Sequence, residues 1–538
     1  MSELTHSDIS EMWKPSKYVP TWDDCEDLEM YVEGGLHPVL IGGSFSNDRY
    51  KVVHKLGSGG SATIWLARDN QEERYIALKI LTSDGSGRTR ELQIHQFLAQ
   101  QQLDFESAHV APLLDHFSIS GPNGTHLCLV FEVLGPSIAS LRGYASETKI
   151  EPHIARKLAR QVAEGVAHLH ATKVALADLS ASNILFRIQD INEWSVEDIY
   201  NAFGLPQAER VQLHEPLDFA EIVSRLDDPP RDLPPVDGRA PEMVYRPIDL
   251  LQSNLALIKP ELLMIDLGEA YLIDNPPKCS DVGTNFNYGA PEIGFDDFPT
   301  PQADIWGLSC CFFEMRSAKI LFRDDSAGMA GLLIQMSRLL GLVPVEWWNA
   351  LGVGEESGDE EPADGDAEAG DDDVSAKVSQ EEAHNSGRED ELLHATVSEE
   401  QQGSQLQPRP DLRHRIRNIG KLNQWHRMTL IERRAKILEW FPKDDDGAVG
   451  RKIGILTRPP ARLLRQEAED LEDLLSKMLR YHPTERISVS DVLRHPWFSK
   501  RYQARGSRSK VATSRPQKPK MWLERYEPAR YYDGWCDD

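Results

Sequence analysis

The chain has 538 residues and a formal net charge of −27; 40 % of its residues are hydrophobic and 27 % are charged. This composition excludes collagen, a disulfide scaffold and a wholly disordered chain. The negative charge also argues against broad binding of nucleic-acid phosphates, which needs Lys and Arg. It favours a basic partner or simply solubility.

The cysteines and the apolar residues bear on the compartment. Six cysteines are scattered without a CxxC pair or a zinc spacing, so we expect reduced thiols. The N-terminal stretch lacks a basic start followed by an apolar core, and no apolar run approaches the ~18 residues of a membrane span. We therefore expect a protein of the cytoplasm and nucleus that has no membrane partner.

Charge is unevenly distributed along the chain. Between Glu355 and Glu400 there are 18 acidic and two basic residues, so this acidic arm carries −16 of the net charge. Its composition predicts disorder, as a solvated spacer or as a regulatory arm. Residues 501–520, the basic tail, hold seven Lys or Arg and no acid. This tail is either a local nucleic-acid or nuclear-import patch, or a segment that folds back on an acidic surface.

The first predicted element is a hairpin over residues 49–69, with the sequence RYKVVHKLGSGGSATIWLARD. Apolar and polar residues alternate on both sides of a glycine turn, as in a β-hairpin. Gly57, Gly59 and Gly60 leave backbone N–H groups able to approach phosphate oxygens closely. Taken alone, the segment is equally compatible with a glycine-rich turn that binds nothing.

The next predicted strand, residues 75–80, is apolar except for Lys79. A lysine in an apolar strand requires a charged partner. Glu91 offers one at the start of the apolar-periodic helix ELQIHQFLAQQ. Two solvated surface charges are the alternative, which fits poorly with Leu78 and Ile80 beside the lysine.

Two Asp residues lie beside apolar strands further along the chain. A helix with one apolar face is predicted over residues 153–170 and leads into VALADLSASNIL, which carries Asp178 and Asn183. The later segment LLMIDLG carries Asp266. A carboxylate in such a position is rarely structural filler, so both Asp residues are candidates for chemistry.

In this order, the parts resemble the signature of the protein kinases. The glycine loop, the strand lysine, the helix glutamate, an Asp with an Asn five residues later and an Asp-x-Gly follow one another, and the runs APE, DIW and YHPTER come after them. Within the kinases, the chain resembles the SR-protein kinases, especially the fungal ones. The features that carry this are EGGLHPV before the catalytic unit, FEVLG between the lobes, Leu267 inside the Asp-x-Gly motif and a long insertion before it.

The resemblance implies an α+β fold of two lobes, a small mainly antiparallel β lobe with one helix and a large mainly helical lobe. The expected parts are an N-terminal extension (1–49), an N-lobe (50–135), a C-lobe (136–499) and a basic, then aromatic tail (500–538). Insertions are expected in the C-lobe near 187–258 and 350–415, and the second contains the acidic arm.

The resemblance also implies phosphoryl transfer from ATP with Mg²⁺. Lys79 would hold the nucleotide phosphates, with Glu91 fixing its ammonium group. Asp266 and Asn183 would bind the metal ions, and Asp178 would orient the substrate hydroxyl. The nucleotide-binding residues would be Leu56, Gly57, Ser58, Gly59, Gly60, Ile64, Ala77, Lys79, Phe131, Glu132, Leu134, Asn183, Leu185 and Asp266.

Other residues are expected to be structural. By the resemblance, Glu292 and Arg486 would form a buried ion pair, and Asp304 would hold the catalytic loop through its backbone. The two tryptophans Trp347 and Trp348 follow an apolar helix and are expected in the core.

The catalytic loop departs from the kinase pattern at three positions. Leu176 replaces the usual His, Ala177 the usual Arg, and Ser180 the Lys of serine/threonine kinases. Without the Arg, no cation waits there for an activation-loop phosphate. Loss of the Lys would weaken transition-state stabilisation, as loss of other preorganised donors does. The spacing after Gly283 leaves open whether Thr284 contacts the catalytic Asp.

Two functions therefore stand: an active serine/threonine kinase, because every metal and base ligand is present, and a nucleotide-binding pseudokinase scaffold. The resemblance implies basic, Arg/Ser-rich protein substrates of the splicing-factor type, and we expect a monomer. The acidic pairs at 296–297 and 324–325 would steer such peptides, unless they are an ordinary solvated face.

Overall fold

The computed structural model describes residues 16–19, 21–144, 149–213, 238–253, 255–323, 328–351, 412–417, 419, 452–453, 456–457 and 463–502. The acidic arm, the pair at 324–325 and all but the first two residues of the basic tail lie outside these ranges. The elements below belong to one compact unit that ends at Lys500. The two-lobed α+β expectation is confirmed.

The N-lobe is a six-stranded antiparallel sheet in the spatial order β1-β2-β3-β4-β6-β5. Its strands are β1 Ser44–Phe45, β2 Tyr50–Gly59, β3 Ala62–Asp69, β4 Arg74–Leu81, β5 Asp115–Gly121 and β6 Gly124–Glu132. Helices α1 Ser83–Arg88 and α2 Glu91–Gln100 follow β4. The predicted hairpin is confirmed, because Gly59 pairs with Ala62 and the two residues between them make the turn.

The C-lobe contains the remaining elements. Its strands are β7 Leu134–Ser137, β8 Lys149–Ile150, β9 Val174–Ala175, β10 Ile184–Ile188, β11 Ala208–Arg210, β12 Met243–Tyr245, β13 Ile258–Met264, β14 Tyr271–Leu272, β15 Lys452–Ile453 and β16 Leu456–Thr457. Its helices are α3 Pro152–Ala171, α4 Val196–Phe203, α5 Leu250–Ser253, α6 Gln302–Ser317, α7 Gly328–Leu340, α8 Val345–Ala350, α9 Leu412–Arg417, α10 Arg465–Met478, α11 Val489–Arg494 and α12 Pro496–Ser499.

Helix α6 is the central element of the C-lobe. It is buried along almost its whole length, as expected for a helix that is apolar on every side. The predicted core positions Trp347 and Trp348 are confirmed, since both are buried. None of the described helices is long and apolar enough to cross a membrane.

Two small antiparallel sheets bracket the catalytic loop. Strand β9 pairs with β14 on one side, and β10 lies between β7 and β13 on the other. In the second sheet Ile184 pairs with Met264. The ends of β10 and β13 therefore bring Asn183 and Asp266 to the same edge.

The N-terminal segment and the first insertion both pack on the N-lobe. Tyr18, Tyr31 and Leu36 form one apolar cluster with Val211 and Val244 of the insertion. A second cluster joins the sheet to α4, and its members are Val53, Leu66, Tyr75, Ile188, Ile191, Ile199, Phe203, Leu250 and Leu257. The insertion leaves and re-enters the chain in the C-lobe, so these contacts connect the two lobes.

Candidate active site

A buried ion-pair network centres on Lys79. Its Nζ lies 2.8 Å from Glu91 Oε2 and 2.9 Å from Asp266 Oδ1. Burial alone would lower the pKa of Lys79, but the two carboxylates outweigh it and raise that pKa. The same ammonium holds the pKa of Asp266 below its ordinary value, against the effect of burial. Both groups are therefore charged at neutral pH.

The inner face of the N-lobe sheet carries several of the predicted nucleotide-binding residues. Gly57 pairs with Ile64, Ile64 with Lys79, and Ala77 with Phe131. Directly opposed residues of antiparallel strands share a face, so these five lie on one side. Ile64, Ala77 and Phe131 are only half-buried there, although their strand neighbours are buried.

The glycine loop roofs this face. A Cβ added to Gly57, Gly59 or Gly60 would meet no atom within 4 Å, so their backbones are open to approach. Ser58 pairs with Thr63, one step out of the alternation, and therefore presents its side chain to the other face. Of the predicted residues in the loop, Ser58 can serve only through its backbone.

The lobe connector meets the C-lobe in one apolar cluster. Phe131, Leu134 and Leu185 pack together there with Leu263 and Ile265. Leu56 instead packs at the margin of the cluster that contains Val53 and Leu66, and Glu132 ends β6. The structure thus brings the predicted adenine-binding residues of both lobes together at the connector, with Leu56 on the insertion side.

Asp178 is held by its neighbours in the catalytic loop and the activation segment. Asn183 Nδ2 donates to Asp178 Oδ2 at 2.9 Å, and the Asn285 backbone N–H donates to Oδ1 at 3.1 Å. Thr284 Oγ1 donates to the Ala177 carbonyl at 3.1 Å. In the residue-180s loop the carboxylate is therefore oriented by Asn183 and by the backbone of Asn285, not by the Thr284 hydroxyl.

The pKa of Asp178 lies above its ordinary value. Burial is the main cause, and the negative charges of Asp266 and Glu269 add to it. The hydrogen bonds from Asn285 and Asn183 oppose the rise only in part. A raised pKa suits a carboxylate that accepts a proton from a substrate.

The backbone of the catalytic loop is strained and tied down. Ala177 has φ +62° and Asp266 has φ +60°, both in the left-handed region. Asp304 accepts the N–H groups of Leu176 and Ala177, each at 2.9 Å, so its expected role in holding the loop is confirmed. His170 Nε2 lies 2.7 Å from Asp304 Oδ2, on the side facing Leu176.

Two buried networks support the activation segment from below. Arg486 donates to both carboxylate oxygens of Glu292 at 2.6 Å, which confirms the expected ion pair. Tyr288 Oη donates to Glu314 Oε2 at 2.5 Å, and Arg142 Nε donates to the other oxygen at 2.5 Å. The segment after Gly289 and the segment before it are thus both anchored, one to α6 and one beside α11.

The sequence-based reasoning missed Asn285 and Glu269. Glu269 Oε2 accepts the Gly283 N–H at 2.8 Å and lies 3.5 Å from Arg90 of the N-lobe. The signal for Asn285 was the extra residue between Gly283 and Tyr288, which shifts a backbone N–H onto Asp178. Glu269 carried no signal, because its partners are far away in the chain.

The sequence pattern of the protein kinase domain matches residues 50–198 and 242–498. The chain belongs to the protein kinase family. The residues between the two matched stretches fall inside the first insertion, so the kinase body is continuous on either side of it.

Curated relatives narrow the resemblance. The chain is 36 % identical over 170 residues to protein kinase dsk1 of Schizosaccharomyces pombe, covering 30 % of this chain and 31 % of the relative. It is 35 % identical over 173 residues to human SRSF protein kinase 3, covering 31 % of this chain and 30 % of the relative. It is 29 % identical over 334 residues to the serine/threonine-protein kinase SRPK of Physarum polycephalum, covering 59 % and 73 %.

The match thus spans about a third of the length of the first two relatives. The names of all three agree with the kinase motifs and with the arrangement of the site. The resemblance to the SR-protein kinases is confirmed at the level of the family.

Proposed function

We propose that this kinase transfers the terminal phosphoryl group of ATP to serine or threonine residues of proteins. The observation that carries the proposal is the arrangement of Lys79 between Glu91 and Asp266, at one edge with Asp178 and Asn183. In phosphoryl transfer, catalysis consists mainly of positioning and charge stabilisation. This set of side chains supplies both.

The residues present fit ATP and Mg²⁺. The open glycine backbones and the half-buried apolar face formed by Ile64 and Ala77 suit a phosphate chain and a flat base. Asp266 uses Oδ1 toward Lys79, and Asn183 uses its amide nitrogen toward Asp178. One oxygen of each side chain is left over, and Mg²⁺ prefers such oxygen ligands. The bound ion would neutralise charge on the phosphates.

The chain's own carboxylate handles the substrate hydroxyl. Asp178 would accept the hydrogen bond of the serine hydroxyl and align its oxygen for in-line attack. The two hydrogen bonds to Asp178 fix the orientation of its carboxylate before the substrate arrives. This preorganisation avoids reorganisation during the reaction.

The alternative of a pseudokinase scaffold rests on the substituted catalytic loop. Leu176 is buried, so it fills space as a packing residue, and the backbone N–H of this position still reaches Asp304. Ser180 is buried and adds no charge. None of the names of the three relatives supports the scaffold, and every acidic and amide ligand stays in place, so we favour the active enzyme.

We further propose Arg/Ser-rich proteins of the splicing-factor type as substrates. The relative named SRSF protein kinase 3 supports this class, and so does the net charge of −27. Asp296 and Asp297 are exposed on the C-lobe and available to a basic peptide. We propose a monomer as the active form, because one chain supplies the whole site, and the cytoplasm and nucleus as its compartments on the resemblance alone.

Phosphoryl transfer from Mg-ATP to an Arg/Ser-repeat peptide tests the proposal, with a Lys/Ala-repeat peptide lacking hydroxyls as blank. Asp178→Asn should lower kcat by at least about 10³-fold, since it removes the proton acceptor. The matched control is Asp274→Asn, an exposed carboxylate that should leave kcat unchanged. Equal, low transfer by the wild type and Asp178→Asn would end the enzyme interpretation.

A salt series tests the substrate class separately. Raising the ionic strength should raise KM for the Arg/Ser peptide and leave KM for ATP almost unchanged, because steering between opposite charges is screened. The double variant Asp296→Asn with Asp297→Asn should reduce this salt dependence. An unchanged dependence would exclude this pair as the peptide-binding surface.

A further inference from the structure

A second buried charge cluster lies at the C-terminal end of α6. Arg316 is 0 % exposed, and its Nε donates to Glu467 Oε1 at 2.9 Å. Arg156 Nη1 donates to the same oxygen at 3.0 Å. One carboxylate of α10 therefore serves two guanidinium groups, one from α6 and one from α3.

The rest of the Arg316 guanidinium is not satisfied. Within the described part of the chain, Nη1 and Nη2 are both buried without a hydrogen-bond partner. Lys149 of β8 is also buried, and its pKa falls to about 8 because of burial and repulsion by Arg316 and Lys319. Lys149 has contacts of its own, so the unmet requirement is that of Arg316.

The neighbouring carboxylates of the described residues are already engaged. Asp470, one turn along α10 from Glu467, accepts two hydrogen bonds from Lys500. Glu314, one turn back on α6, is held by Arg142 and Tyr288. Positive charge is thus in excess at this end of α6.

Such an excess is costly in a protein interior. A buried lysine can lose its proton, but an arginine stays protonated at every physiological pH. Burying a charged group without a partner costs several kcal/mol. A guanidinium that presents two adjacent N–H groups matches the oxygens of phosphate or sulfate in a bidentate arrangement.

We propose that Arg316 Nη1 and Nη2, with Lys149 and Lys319 beside them, bind a small inorganic oxyanion such as phosphate. Along the axis of α6, Arg316 is about 18 Å from Asp304, so this site is separate from the catalytic loop. A bound anion would join β8, α6 and α10, and so stabilise the helix that carries Asp304 and Glu314. The site needs no phosphoryl-transfer activity, so it stands independently of the proposed function.

Thermal unfolding of the full chain in phosphate and in chloride, at equal ionic strength and pH, tests the site. Phosphate at about 100 times its Kd should raise Tm by on the order of 5 °C. Sulfate should act similarly. Arg316→Met should abolish the response to both ions, because it keeps the volume and removes the fork.

Two variants keep the result interpretable. Lys79→Met removes the cation of the nucleotide cleft and should retain the full phosphate response, which separates the two possible phosphate sites. Arg316→Lys keeps a charge near Glu467 but loses the bidentate donor pair, so it should fold and bind phosphate at least 10-fold more weakly in a calorimetric titration. A phosphate response that persists in both Arg316 variants, that is lost in Lys79→Met, or that is absent from the wild type would overturn the proposal.

Discussion

The two buried charge clusters of this kinase have opposite imbalances. At Lys79, one cation faces two carboxylates, from α2 and from the residues after β13. At Arg316, two guanidinium groups share one carboxylate of α10. The Glu292–Arg486 pair is the balanced reference, with one charge of each sign joined by two hydrogen bonds.

The comparison teaches that buried charge indicates what a site takes up. A balanced pair is complete in itself and holds two elements together. A cluster with a surplus carboxylate fits a cation, as Asp266 fits Mg²⁺. A cluster with a surplus guanidinium fits an anion. The first surplus lies beside Asp178 and serves chemistry, whereas the second lies at the far end of α6 and serves stability.

The largest expected effect comes from balancing the Lys79 cluster. Asp266→Asn leaves one cation with one carboxylate, and kcat should fall by about 10²- to 10³-fold because the charged metal ligand is gone. The Tm should change little, since Glu91 still pairs with Lys79. Steady-state kinetics over a Mg²⁺ series, together with thermal unfolding, measures both. Retention of wild-type kcat would contradict the assignment of Asp266.

Removing the single carboxylate of the Arg316 cluster should give the next largest effect. Glu467→Gln leaves two buried guanidinium groups without a counter-charge, and the free energy of unfolding should fall by about 3–5 kcal/mol. Urea unfolding measures it. The control is Glu469→Gln in the same helix, which breaks only an exposed pair with Arg465 and should cost about 0.5 kcal/mol or less. Similar losses in the two variants would refute the charge account of this cluster.

The smallest expected effect concerns the pH profile of catalysis. Asp178 must be ionised to accept a proton, so kcat falls as the pH drops through its raised pKa. Glu269 contributes to that rise, and Glu269→Gln should move the acid limb to lower pH while its amide oxygen still accepts the Gly283 N–H. Glu72→Gln, at an exposed turn, should leave the limb in place. An acid limb that stays put, or moves to higher pH, in Glu269→Gln would exclude this coupling.

Much of the site was predictable from local sequence. Gly57 to Gly60 between alternating strands, and Lys79 within an apolar strand, each have one low-cost arrangement, because a hairpin must turn and a buried ammonium must find a carboxylate. The ion pairs of Glu91 and of Glu292 follow from those requirements and from the resemblance. The structure contains both pairs.

Contacts between distant segments were not predictable in the same way. The bond from the Asn285 N–H to Asp178 depends on the path of the activation segment, and one extra residue changes which group arrives. The packing of the N-terminal segment against the first insertion joins residues about two hundred positions apart. Periodicity describes one element at a time and carries no information about such pairs.

The sequence by itself determined the order of the kinase parts, the nature of each candidate ligand and the uneven spread of charge. These are properties of residue type and spacing, which the chain carries before it folds. Only the tertiary structure decided which charges share a buried space: Lys79 with two acids, and Arg316 with another arginine on one acid. The physical reason is that the cost of a buried charge depends on its partners and its distance from water, and both are set when the lobes pack.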